Sequence, residues 1–180
     1  MIAFPSTNFI VLPYHLLTSG QWSLSDQYMG SVYEKIVKDG DADMVFFTGN
    51  IQSIPEFIAY MQGPGAFPWF IFEKDPTAKK LIGYVILDTL KDFMAYCHVY
   101  MAPEYRSFDT LFIGREAIQY IFSQTDIETI IGLPPEENQA VCDYAEAIGG
   151  VRLGVLPKGI WSHKKQQNVP AVLFHWTKEI

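Results

Sequence analysis

The spacing of apolar residues changes period along this chain, and those changes divide it into elements. Phe9-Ile10-Val11-Leu12-Pro13 is a short apolar run closed by proline, which predicts a first strand or extended arm. From Ser25 to Lys38, Tyr28, Met29, Val32, Tyr33, Ile36 and Val37 recur at helical spacing; Ser25 and Asp26 supply cap chemistry and Gly40 ends the pattern. Met44 to Thr48 reads as a short β-like run. Ile54 to Met61 predicts a second helix, with Ser53 as N-cap and Pro55 in its first turn.

The period then shortens. Phe67 to Glu73 and Leu81 to Leu90 are β-rich runs around a polar turn, so they predict an antiparallel hairpin, and Phe93 to Met101 predicts a third strand. A helix from about Ser107 to Phe122, a strand over Glu128–Leu133 and a helix from about Glu136 to Ile148 follow. Val151 to Leu156 and Ala171 to Thr177 close the chain as strands joined by a polar loop containing His163 to Asn168. This order predicts one α/β (α+β) domain over residues 1–180: a mixed, mostly antiparallel sheet with helices on both faces.

Composition narrows the function classes. With 180 residues, 49% apolar and 18% charged, the chain suits a single globular domain. Its 13 basic and 20 acidic residues give a net charge of −7, which argues against a nucleic-acid surface and gives no long-range attraction for a polyanion. Cys97 and Cys142 make no disulfide framework, and the first residues carry neither a charged leader nor a long apolar run. No segment approaches the ~20 apolar residues of a membrane span. The expectation is a cytoplasmic protein with no membrane and no nucleic-acid partner.

Three stretches resemble the GNAT superfamily, the GCN5-related N-acyltransferases, over roughly Phe67 to the C-terminus. Leu81-Ile82-Gly83-Tyr84-Val85 resembles the family's central strand. Met101-Ala102-Pro103-Glu104-Tyr105-Arg106 resembles the next strand's end and the cofactor turn, and Asn138 to Gly149 resembles its later asparagine-to-glycine helix. The resemblance implies transfer of an acetyl or acyl group from acetyl-CoA to an amine, small molecule or peptide; a homodimer is the oligomer expected, and no metal is expected. It also implies that the thioester lies between the Phe93–Met101 and Glu128–Leu133 strands, with the pyrophosphate on backbone N–H groups at the start of the following helix. Met101, Arg106, Ser107, Phe108, Asp109 and Thr110 are the residues it assigns there, and Asn138 is assigned to the cofactor arm.

The chain departs from the family pattern in that turn. Asp109 and Leu111 stand where small residues are usual, and Ser107 replaces another. A carboxylate ~5 Å from a phosphate, at an effective dielectric of 20, repels it by roughly 3 kcal/mol. Ala145 holds the position of the family's acidic tyrosine, and Tyr144 is its neighbour about 100° around the helix.

Amine acylation needs a base for the ammonium and an acid for the leaving thiolate. Tyr96, His98 and Tyr100 share one face of their strand, and His98 stands roughly where many relatives carry an acidic residue. A histidine titrates near neutral pH as a residue type, so His98 is the first candidate base and Glu104 the second. Tyr144 is the remaining candidate acid, and its alternative is a packing role. His15, His163 and His175 lack metal-ligand spacing. The competing reading is a non-catalytic GNAT-fold binding or assembly domain, of phage or mobile-element type, that has lost acetyl-CoA binding. A third is a transferase with a different acyl carrier and an aromatic groove.

Overall fold

A computed structural model describes residues 9–74, 80–107 and 111–178. Its elements are β1 (Phe9–Pro13), α1 (Asp26–Lys38), α2 (Ala42–Val45), α3 (Ile54–Met61), β2 (Ala66–Glu73), β3 (Leu81–Lys91) and β4 (Met94–Met101). After a 3-10 turn at Pro103–Tyr105 come α4 (Leu111–Gln124), β5 (Thr129–Gly132), α5 (Gln139–Ala147), β6 (Val151–Ser162) and β7 (Gln167–Thr177). Hydrogen bonds link the strands into a seven-stranded sheet in the order β1-β2-β3-β4-β5-β7-β6. β4 and β5 run parallel, while β1–β2, β5–β7 and β6–β7 are antiparallel. The mixed sheet expected from the pattern is therefore present.

Two compact units interleave along the chain. The described residues through Phe46, with Asn50–Ile86 and Val99–Arg106, form the first; Phe47–Gly49, Leu87–His98 and the described residues from Ser107 onward form the second. In the first unit, Ser25 caps α1 by accepting the Tyr28 N–H at 3.2 Å, and Ser53 caps α3 by accepting that of Glu56 at 3.4 Å. Of the stripe read from its spacing, α1 buries Met29, Val32 and Ile36 while Val37 is exposed, and α3 buries Phe57 and Met61. These side chains pack with Phe70, Phe72, Tyr84 and Tyr100, and the Tyr84 and Tyr100 rings lie 5.4 Å apart. Gly83 permits this approach, because a Cβ there would sit 2.2 Å from the Tyr100 carbonyl oxygen.

The β-like run at Met44–Thr48 is a correction: its first half is the last turn of α2. Met44 and Val45 both donate to the Asp41 carbonyl at 2.9 Å, and Phe46 then packs 5.5 Å from Tyr33 and 5.8 Å from Phe57. Four apolar residues and a threonine carry no period of their own, so the tertiary contacts decide.

In the second unit the closing strands are longer than their apolar runs. The expected polar loop is a tight turn at 163–166, with Gln166 at φ +52°, and strand pairing continues to Ser162–Gln167. Trp176 fills the space above Gly150, where a Cβ would lie 2.6 Å from its ring. An aromatic contributed by β7 thus occupies ground that the sequence at 150 leaves empty.

Candidate active site

In the second unit, the parallel ladder between β4 and β5 holds three pairs, Met94–Thr129, Ala95–Ile130 and Tyr96–Ile131. β4 continues to Met101, so Cys97–Met101 have no partner in β5. His98 lies just past this parting, with 54% of its side chain exposed. Its Nε2 is 3.0 Å from Asp88 Oδ2, and the Thr89 hydroxyl donates to Asp88 Oδ1 at 3.1 Å. Burial, with a smaller contribution from the Asp88 charge, pushes the neighbouring Cys97 thiol up to about 12, which makes it a poor nucleophile at neutral pH.

In the first unit the strand end and turn form a network of ion pairs. The Arg106 Nε donates to the Met101 carbonyl at 2.7 Å. Its Nη1 donates to Asp41 Oδ1 at 3.0 Å and its Nη2 to Asp41 Oδ2, so the fork is engaged on both arms. Asp41 is only 7% exposed. Glu104 pairs with Lys35 at 3.3 Å, and Lys35 also reaches Asp39 at 2.9 Å. The Lys35 ammonium holds the Asp39 carboxyl below its usual range, helped by a hydrogen bond from Tyr100 at 3.1 Å. Burial, then that same carboxylate, raises the Tyr100 phenol.

Two further expected residues lie in the second unit. Asn138 caps α5, its Oδ1 accepting the Val141 N–H at 3.4 Å. The Tyr144 hydroxyl is buried without a hydrogen-bond partner among the described residues, and burial raises its phenol to about 12. It lies over α4 at Gly114, where a Cβ would come within 2.3 Å of it. These surroundings fit the packing alternative. Tyr144→Phe is then expected to raise stability by up to about 1 kcal/mol in urea denaturation, because it removes an unpaired buried hydroxyl. A clear loss of stability would show that the hydroxyl has a partner. Ser107 is exposed, while Phe108, Asp109 and Thr110 lie outside the described residues.

The Arg106 and Glu104 side chains are held in ion pairs of the first unit, whereas His98 bonds Asp88 within the second. The structure thus adds Asp88, which the sequence reading did not single out. Strand alternation offered a signal: Asp88 interrupts an apolar run ten residues before His98, across a hairpin. No group of three or more metal-ligating side chains occurs among the described residues, and no helix among them is long and apolar enough to cross a membrane.

No protein-family model and no curated protein matches the chain by sequence. Solved structures do match by shape. A ribosomal-protein-S5-alanine acetyltransferase from Vibrio fischeri superposes with a TM-score of 0.66 at 13% identity, covering 99% of this chain and 98% of that one. An acetyltransferase from Salmonella typhimurium that modifies the N-terminal serine of ribosomal protein L7/L12 gives 0.71 at 11% identity, with 97% of each chain covered. Spermidine N-acetyltransferase from Vibrio cholerae, in complex with CoA and spermine, gives 0.70 at 14% identity over 95% of this chain and 96% of that one. At such identities the likeness shows the fold.

Proposed function

We propose that this chain, which has the GNAT acetyltransferase fold, is an N-acyltransferase that uses acetyl-CoA to acylate a primary amine of a small molecule or a peptide. The observation that carries the reading is His98, exposed on β4 two residues beyond the end of the β4–β5 ladder and hydrogen-bonded to a carboxylate. The β4 residues beyond Tyr96 leave backbone that β5 does not use, which suits the amide-bearing arm of a CoA thioester. His98 takes the proton from the acceptor ammonium, the freed amine attacks the thioester carbonyl to form the C–N bond, and the C–S bond then breaks, so that CoA leaves as the thiol carrying the second proton of the amine nitrogen. In this reading the backbone N–H groups near the end of β4 are the donors that stabilise the charge developing on the carbonyl oxygen. The structural neighbours are named for a polyamine, for an alanine of ribosomal protein S5 and for the N-terminal serine of ribosomal protein L7/L12, which supports an amine acceptor.

A second reading, a GNAT-fold binding domain without catalysis, is favoured by one observation: the Arg106 fork is already closed on Asp41. A single experiment separates the two. Acetyl-CoA at a hundred times its Kd is expected to stabilise the fold by about 2.7 kcal/mol in a thermal shift, and spermine or a short peptide should gain one acetyl group by mass spectrometry. No thermal shift at millimolar acetyl-CoA sinks the acyltransferase reading and supports the domain that has lost acetyl-CoA binding; a shift together with acyl transfer overturns that domain reading.

A further inference from the structure

We propose that Asp88 and Thr89 are positioning residues that fix the tautomer of His98, making Nδ1 the nitrogen that accepts the substrate's proton. The proposal rests on the reading of His98 as the base. An ionised carboxylate only accepts hydrogen bonds, so at 3.0 Å from Asp88 Oδ2 the neutral imidazole must carry its proton on Nε2. The lone pair then resides on Nδ1. Asp88 is itself held: the Thr89 hydroxyl donates to its other oxygen at 3.1 Å. Four-fifths of the Asp88 side chain is shielded from solvent, whereas His98 is more than half exposed, so the carboxylate is the fixed partner and the ring the accessible one.

Thr89 supplies the independent observation. Its φ is +49°, a region in which a β-branched residue is an outlier, and it stands inside β3, where extended backbone is the rule. Strain of this kind persists only where the surroundings impose it, and it concentrates at functional sites. Here the left-handed residue lies between the carboxylate and the hairpin turn and brings its own hydroxyl onto Asp88. The arrangement is hydroxyl, carboxylate, imidazole: a base oriented by a third group, assembled from one β-hairpin.

The test reads the imidazole itself. In nitrogen NMR of the neutral ring, wild type and T89S are expected to show His98 as the single Nε2–H tautomer, and D88A a mixture of both. The proposal is overturned if wild type already shows the D88A mixture, or if its proton resides on Nδ1. This readout needs no turnover, so it stands apart from the reading on which the proposal rests. For the role in transfer, H98Q is expected to abolish acylation while acetyl-CoA binding persists, and D88A to lower kcat by about tenfold or more, within the roughly 10²–10⁴-fold that general acid–base catalysis contributes. Wild-type kcat in H98Q removes the base itself; loss in H98Q with wild-type kcat in D88A overturns the positioning role alone.

Discussion

Between pH 10 and 12 the protein is expected to lose stability at about 4 kcal/mol per pH unit from three phenols alone. Three of the phenols that burial raises suffice for this slope: Tyr84 and Tyr100, both nearly inaccessible in the first unit, and Tyr144 in the second, whose hydroxyl is buried. Burial is the leading cause of each upward shift, reaching about 12 for Tyr144 and placing Tyr84 well above the ordinary value. The sign follows from linkage. In the unfolded chain these groups ionise near pH 10, whereas the folded chain retains their protons. The stabilisation is therefore complete below pH 10 and declines as pH rises toward the folded values. Three protons retained by the folded state alone correspond to about 4 kcal/mol per unit, which exhausts a typical stability of about 5–15 kcal/mol within a few units. Urea midpoints on either side of pH 10 measure the slope, and Tyr144→Phe should make it shallower by about 1.4 kcal/mol per pH unit. Phenol ionisation near pH 10 with the far-ultraviolet circular dichroism intact would overturn the prediction.

Elements with a strong period and a cap were legible in the sequence. α1 and α3 begin at the serines expected of them, because a cap is a local interaction that a few neighbouring residues specify. The Gly83 segment was legible for a related reason: close approach of two backbones admits only glycine. α2 was not legible, since its turn is imposed by the packing of Phe46 against rings far along the chain. The length of β6 was hidden differently. Its exposed positions and its two irregularities, at Arg152–Gly154 and Leu156–Ile160, erase the alternation that marks a half-buried strand.

The site follows the same division. His98 could be found from alternation along one strand. Its carboxylate was missed because Asp88 sits at the polar end of an apolar run, where a charged residue reads as the approach to a turn. The Arg106–Asp41 pair had no sequence signal at all, since 65 residues separate its members. A motif can therefore place an arginine at the mouth of a helix without saying what its guanidinium holds, and in this chain it holds a carboxylate of the protein's own.

Replacing Arg106 by alanine is accordingly expected to cost about 2–3 kcal/mol of stability. Removing one member of a buried pair costs about 3–5 kcal/mol, because the other charge stays in the interior without compensation; the value is reduced here because about a third of the Arg106 side chain reaches solvent. The two partners differ. Asp41 is the more buried, so Arg106→Ala strands a carboxylate with little access to water, whereas Asp41→Ala leaves a guanidinium that can turn outward and still donate to Met101. Asp41→Ala should therefore be the milder change, and the double substitution should cost less than the sum of the two by about 1–3 kcal/mol. Arg106→Lys should recover only part of the loss, because an ammonium cannot span both carboxylate oxygens as the planar fork does. Urea denaturation of the four variants measures the cycle. Additive costs would show that the pair does not hold the turn, and an Arg106→Ala variant of wild-type stability with weakened acetyl-CoA binding would assign the guanidinium to the cofactor instead.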